Sequence, residues 1–400
     1  MSAEIRPFHI DVPEADLADL RDRLTRTRWP ARLPGAEWSR GIPVDHLREL
    51  AEHWRTDYDW RRHEAELNRF PQFRTEIDGQ EVHFLHVVSP EPDALPVILT
   101  HSWPNSVAEF LTILGPLTDP RAHGGDPARA VTVVAPSLPG FAFSPFPEPA
   151  DDEPWSAARV ARAWSALMSR LGYRRYGAHG NDVGALVSAE LALADPEHLI
   201  GVHLTGGLGM PTGDSAEIEE LTEEERDQIA WLGDLFGETG SGYARYLARR
   251  PQTLAYGLHD SPAAQLAYLL ERFTEFDGWP AEGTTPVACL DRDQFLTTVS
   301  LYWFTGTAAS SAWTYFEDAA GMPIDQTVVP TGVSHGGPTA FRRIAERGNT
   351  IVRWSNHTSP SHMVAMADPE NLVADLRQFF GGLRAGGPAG AGGAACPSGG

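Results

Sequence analysis

The strongest chemical signal in the chain is a carboxylate set between two glycines, Gly180-Asn181-Asp182-Val183-Gly184. Tyr176-Gly177-Ala178-His179 before it reads as a strand, and Ala185 to Ala194 after it reads as a helix closed before Pro196. A strand that turns sharply into a helix needs small residues two positions either side of the turning residue, because the turn is strained and crowded. Gly180 and Gly184 meet that need and leave Asp182 at the apex. A carboxylate is ionised near neutral pH without help, and it can attack carbon to form an ester. The plainer alternative is an ordinary turn in which Asp182 caps the helix, as Asp often does. Two other stretches sit where such a nucleophile would need them. His101-Ser102-Trp103-Pro104 directly follows an apolar strand, Val97 to Thr100, where a backbone N–H can serve an oxyanion hole. His362 lies downstream, in a loop between a strand at 350–354 and the last helix, in the order nucleophile then base. A lone histidine is more often structural, but among the 15 present His362 alone combines a strand-end position with distance in sequence from the elbow.

The elements that must position these groups follow from periodicity. Leu17, Leu20 and Leu24 predict a helix from Pro13 to near Trp29-Pro30, and Leu47, Leu50 and Trp54 predict a second after Pro43. The stretch from Tyr58 to Phe73 looks aromatic and irregular. Phe73 to Ile77 and Val82 to Val88 flank Asp78-Gly79, a hairpin turn pair. Short apolar runs then alternate with helical stretches at Val97 to Thr100, Val131 to Ala135, Tyr176 to Gly180 and Val202 to Thr205, which is βαβ rhythm. The rhythm breaks after Gly206-Gly207 into helices rich in Tyr, Trp and Leu, and strands return at Thr327 to Val333 and 350–354. The predicted fold is α/β, a mostly parallel twisted sheet with helices on both faces, of the α/β-hydrolase type. Its expected division is a helical arm and meander (1–74), a first core segment (75–208), a helical cap (209–320), a second core segment (321–384) and a disordered Gly/Ala-rich tail (385–400).

Composition removes several classes of function. With 54 acidic against 32 basic residues the net charge is −22, which repels phosphate backbones and anionic lipid, so no nucleic-acid partner is expected. The sequence contains no lysine, which excludes a Schiff-base lysine, pyridoxal phosphate and a P-loop. Only Cys289 and Cys396 are present, too few for a disulfide framework or a thiolate metal site. No His, Cys and carboxylate cluster has ligand spacing, and no glycine fingerprint follows the first strand, so neither metal nor organic cofactor is expected. Apolar runs are too short for a membrane span and the start lacks a secretory pattern, giving a cytoplasmic expectation.

These residues resemble epoxide hydrolases of the microsomal and juvenile-hormone type, in their soluble bacterial form. The likeness covers nearly the whole chain. It rests on Pro7-Phe8-His9-Ile10-Asp11-Val12-Pro13, Thr27-Arg28-Trp29-Pro30, Tyr58-Asp59-Trp60-Arg61 and Phe70-Pro71-Gln72-Phe73 in the arm, on Pro136-Ser137-Leu138-Pro139-Gly140-Phe141, and on the final helix. The resemblance implies that Asp182 opens an apolar epoxide while two cap tyrosines, Tyr243 and Tyr315, hydrogen-bond the departing oxygen. His362 would then activate water against the ester, with Trp103 and Val183 N–H groups as the oxyanion hole. Trp103, Val183 and Met363 would line the substrate pocket, and a homodimer through the arm or cap is an open expectation. Packing tyrosines in an aromatic cap are the alternative for Tyr243 and Tyr315.

Departures from the family pattern gather at the same place. The acid that should orient the histidine falls at Thr339, and the flanking Ser334-His335-Gly336-Gly337-Pro338 holds no carboxylate; Asp214 is a distant substitute. Ser102 and Asn105 stand for glycines, Val183 for an aromatic, and Pro360-Ser361-His362-Met363 for Gly-Gly-His-Phe. Removing the orienting carboxylate in the serine-protease case costs ~10⁴-fold. Three readings follow: a hydrolase yielding vicinal diols; an enzyme of secondary metabolism redirected to cyclisation, elimination or intramolecular epoxide opening; and a catalytically silent binding homologue. Dehalogenation is disfavoured because two tyrosines suit an alkoxide better than a halide.

Overall fold

The computed structural model describes residues 4–34, 38–146, 153–206, 208–209, 219, 221–223, 225–227, 229–230, 242–277, 291–317, 326–334, 339–356 and 361–385. Asp214, the stretch 335–338 and the Gly/Ala-rich tail beyond 385 lie outside them. The chain begins with β1 (Arg6–Phe8), α1 (Glu14–Thr25), α2 (Val44–Thr56) and α3 (Trp60–Leu67). It continues through β2 (Gln72–Ile77), β3 (Gln80–Val87), β4 (Leu95–Thr100), α4 (Leu111–Thr118), β5 (Val131–Pro136), α5 (Ala157–Arg170), β6 (Tyr176–Asn181), α6 (Val183–Ala194) and β7 (Leu199–Thr205). The described helices of the insertion are α7 (Gly242–Leu247), α8 (Pro251–Asp260), α9 (Pro262–Phe276), α10 (Arg292–Thr305), α11 (Ala308–Ser311) and α12 (Thr314–Glu317). β8 (Thr331–Ser334), α13 (Thr339–Ala345), β9 (Ile351–Ser355), α14 (Val364–Ala367) and α15 (Pro369–Ala385) complete the core.

Nine strands form one sheet in the order β1-β2-β3-β5-β4-β6-β7-β8-β9. The first three pair antiparallel, β3 with β5 also, and all later pairings are parallel. Parallel strands are covered on both faces, and β5 and β6 are accordingly buried at every position. The register aligns Thr100 with Gly180, Asn181 with Thr205, Thr205 with Ser334, and Ser334 with Ser355. The loops after β4, β6, β8 and β9 therefore leave the same edge, at the carboxyl ends of the strands where open α/β sheets bind ligands.

Two predicted boundaries and one reassigned stretch are corrected, and one strand is added. α1 stops at Thr25 rather than near Trp29: no buried position follows Leu24, and the residue before Pro30 is biased out of the helical region. Residues 60–67 are helical rather than irregular. Asp59 accepts from the Arg62 N–H as N-cap, and the buried face is Trp60, His63, Glu64 and Leu67, a helical spacing disguised by two polar members. β8 begins at Thr331 rather than Thr327, after Pro330, which has no N–H to give a ladder. The edge strand β1, with Pro7 paired to Phe73, is too short to show as a pattern. Among the described residues no helix is long and apolar enough to cross a membrane.

The arm braces the cap. Trp54 Nε1 donates to Ser300 Oγ (2.9 Å), Tyr58 OH pairs with Thr297 Oγ1 (3.0 Å) and a His53 ring nitrogen lies 2.8 Å from Asp293 Oδ1, all on α10. The other side of α10 holds the loop after β4: Tyr302 OH donates to the Asn105 carbonyl (2.6 Å) and Thr298 Oγ1 to Asn105 Oδ1 (3.1 Å).

Beneath that loop lies a buried carboxyl. Glu109 is 3% exposed and meets Ser102 twice, at its N–H (3.2 Å to Oε2) and its Oγ (2.6 Å). Burial pushes it up from 4.5 to about 8, against the Ser102 hydrogen bonds and with a further upward push from the Asp182 charge. Protonated, it can donate to Ser102 Oγ, whose own hydrogen then points to Met363 Sδ at 3.6 Å.

Two measurements test this frame. A Cβ on Gly184 would fall 2.1 Å from the Thr100 carbonyl oxygen, and one on Gly180 1.9 Å from that of Gly184. Gly184→Ala is expected to cost ~4 kcal/mol or more or to abolish soluble expression, whereas Gly382→Ala, with nothing within 4 Å of the added methyl, is expected to leave the thermal midpoint unchanged or raised; equal effects would contradict the elbow packing. For Glu109 the folded value lies above the unfolded one, so the stability it contributes is full below 4.5 and is lost as pH rises through about 8. Wild type should therefore lose thermal stability relative to Glu109→Gln between pH 6 and pH 9, and parallel melting curves at the two pH values would count against a neutral Glu109.

Candidate active site

Asp182 sits between β6 and α6 with φ 54° and ψ −124°. Such a positive φ is costly for a residue with a side chain, ~1–3 kcal/mol, and it persists because β6 and α6 are both packed to their ends around the glycine contacts. The side chain does not cap α6. Instead Asp182 Oδ2 accepts the Trp103 N–H at 2.9 Å, across from the loop that follows β4. The capping alternative for this Asp is thus not what the geometry shows.

His362 approaches from the opposite side, its Nε2 3.9 Å from Asp182 Oδ1. Both side chains are about one quarter exposed, at 27% and 26%, so neither stands in bulk solvent. The Nε2 atom itself is buried and has no hydrogen-bond partner among the described residues. The histidine is held through its backbone: Asn181 Nδ2 donates to its carbonyl (2.7 Å), and its N–H donates to Asp277 Oδ1 (3.0 Å). Its ring packs on Phe276 with centroids 4.9 Å apart.

Tyr243 on α7 and Tyr315 on α12 meet over the Trp103 indole. Their hydroxyl oxygens are 3.5 Å apart. Tyr243 stacks on Trp103 at 5.8 Å and 8°, while Tyr315 meets it edge-on at 4.9 Å and 82°. The indole is fixed in turn by donating from Nε1 to Ser311 Oγ (3.3 Å). Burial raises both phenols well above 10, and the Asp182 charge adds to the rise in each. For Tyr243 the Tyr315 hydrogen bond and the Arg272 guanidinium, 4.4 Å over its ring, act the other way without reversing it. Both phenols are therefore protonated donors at neutral pH.

Val183, at the start of α6, is buried beside Asp182, and Met363 is buried with its sulfur toward Ser102 and Asn105. Thr339 opens α13 after β8. Among the described residues no three His, Cys, Asp or Glu side chains gather as a metal site. Sequence reasoning missed Asn181, Glu109, Phe276 and Asp277. Asn181 and Glu109 carried a faint signal, a polar residue inside an apolar run beside a motif. The Phe276-Asp277 pair carried none, because only the tertiary fold brings the end of α9 to residues 361–362.

The arrangement can attack an electrophilic carbon with one carboxylate oxygen while the other rests on an N–H donor, supply phenolic protons nearby, and offer an imidazole to a second step. Comparison with known proteins identifies the family. The family described as Epoxide hydrolase N terminus matches residues 5–110, and the alpha/beta hydrolase fold matches residues 96–250. A protein of Stigmatella aurantiaca (strain DW4/3-1), provisionally named an epoxide hydrolase, is 43% identical over 389 residues, 95% of this chain and 86% of that one. Epoxide hydrolase 1 of Sus scrofa is 30% identical over 416 residues, 94% of this chain and 88% of its own length. Juvenile hormone epoxide hydrolase of the silkworm Bombyx mori superposes with a TM-score of 0.83 at 28% identity, covering 96% of each chain. The Aspergillus niger epoxide hydrolase gives 0.80 at 29%, covering 95% of this chain and 97% of that one. By sequence over almost its full length and by fold, the chain belongs to the epoxide hydrolase family of the α/β-hydrolase fold.

Proposed function

We propose that the protein converts an apolar epoxide to a vicinal diol through an ester on Asp182. The observation that carries this reading is the Asp182 carboxylate itself, with Oδ2 on the Trp103 N–H and Oδ1 facing His362. In the first half-reaction Oδ1 attacks an epoxide carbon. The new Asp–carbon ester bond forms as the ring C–O bond breaks, and the departing alkoxide takes a proton from Tyr243 or Tyr315. In the second, a water between His362 Nε2 and the ester carbonyl gives its proton to the imidazole and its oxygen to the carbonyl carbon. The negative charge then falls on the oxygen held by Trp103, with the adjacent Val183 N–H as the second donor. A single such donor is worth about 10²- to 10³-fold in rate. Collapse breaks the ester, His362 returns its proton to the departing diol oxygen, and the remaining water proton, left on the Asp182 carboxyl, passes to the tyrosinate, so the sum is epoxide plus water. No cofactor enters the balance.

The substrate is a small apolar molecule on this reading, since the walls near the carboxylate are Trp103, Val183, Tyr243, Tyr315 and Phe276. The redirected reading draws support from Thr339, because a slow second half-reaction leaves time for an internal nucleophile of the substrate to act. Silent binding is the weaker account of four functional groups held together.

Isotope placement tests the ester. In a single turnover of styrene oxide by excess enzyme in ¹⁸O water, the diol should carry no label and the peptide containing Asp182 should gain it. Label in the diol at the first turnover would mean direct attack by water. Asp182→Asn should lower diol formation by at least ~10⁴-fold, and undiminished turnover by that variant would exclude the covalent route. If Thr339 vacates the acid's place, Thr339→Glu should speed hydrolysis of the accumulated ester ~10-fold or more; a rate equal to wild type would show that the orienting charge comes from elsewhere.

A further inference from the structure

We infer that Asp277, at the end of cap helix α9, is the positioning residue that holds the His362 loop and offsets the missing acid at Thr339. This rests on the covalent reading above. Asp277 Oδ1 accepts two hydrogen bonds from consecutive residues of that loop, from Ser361 Oγ at 2.8 Å and from the His362 N–H at 3.0 Å. Ser361 is 2% exposed, and its Oγ also takes the Met363 N–H at 3.1 Å. The preceding residue, Phe276, packs its ring against the imidazole at a tilt of 47°. The last turn of α9 thus holds the backbone of the base and borders its ring.

Local helix physics does not explain a carboxylate there. Asp277 is the C-cap of α9, its N–H donating to the Phe273 carbonyl, and a negative charge at a helix C-terminus is disfavoured by the helix dipole. The two donors from 361–362 supply the compensation. Charge-assisted hydrogen bonds of this kind are about twice as strong as neutral ones. Ser361 is itself one of the family departures, so the hydroxyl that Asp277 accepts is a feature of this chain. The carboxylate also stands on the backbone of the residue that becomes an imidazolium in the second half-reaction, and a nearby negative charge favours that cation. Among the described residues, titratable groups around the same loop include Asp182 from the elbow, Glu109 beyond Ser102 and Met363, and the Tyr243 phenol beyond Phe276.

Two variants separate position from charge. Asp277→Ala removes both; formation of the alkyl-enzyme, followed by quench and intact mass, should stay within ~2-fold while ester hydrolysis slows ~10-fold or more, since small misplacement of a catalytic group can cost up to ~10²-fold. Asp277→Asn keeps an acceptor for both donors and should retain most of the hydrolysis rate. Ester hydrolysis unchanged in Asp277→Ala, or both half-reactions falling equally, overturns the inference. An absence of adduct and diol in wild type across epoxides would instead remove the covalent reading. Hydrogen exchange of the His362 N–H, which Asp277 Oδ1 accepts, is independent of turnover, and equal protection in wild type and Asp277→Ala would sink the Asp277 role alone.

Discussion

The hydrogen bond from the Trp103 N–H to Asp182 Oδ2 is the contact on which the rest of the site depends. It exists only because a residue with a side chain is held at positive φ on the apex of a strand-to-helix turn, and that conformation survives only where Gly180 and Gly184 let backbone meet backbone. Parallel pairing of β4 with β6 brings the N–H to the same edge as the carboxylate. Sheet order, two glycines and one strained residue therefore form a single constraint. Relaxing any of them turns Oδ2 away from its donor.

Around that contact Ser102, Asn105 and Ser361, which the sequence sets apart, are joined by hydrogen bonds. Ser102 engages Glu109, Asn105 engages Tyr302, Thr298 and the Met366 sulfur, and Ser361 engages Asp277. Each of these polar side chains is buried, and each has a partner, as a buried polar group requires if it is not to cost the fold. Together they tie the loop after β4 and the His362 loop to their surroundings.

Much of this was legible in the sequence where the pattern is local. The elbow shows in five residues because its steric demand is met within five residues, and the βαβ rhythm shows because doubly covered strands are continuously apolar. The helix at Trp60 was hidden by His63 and Glu64 on its buried face; Glu64 accepts the Val12 N–H from across the arm, while His63 pairs with Glu66 one turn along the same helix. Asp277 was invisible for the same reason at longer range, since its partners are 84 and 85 positions away. Thr339 shows the converse: the sequence raises the question of which group orients His362, but only contacts made in three dimensions can answer it.

The clasp of the arm on α10 has a consequence for how a substrate arrives. Trp54, Tyr58 and His53 grip one side of that helix while Asn105, next to the oxyanion donor, is gripped by the other. Swinging the insertion outward as a rigid door would rupture both sets of bonds and drag on the loop that carries the Trp103 N–H. Admitting a molecule by that movement would cost those bonds, which favours rearrangement of individual side chains over displacement of α10.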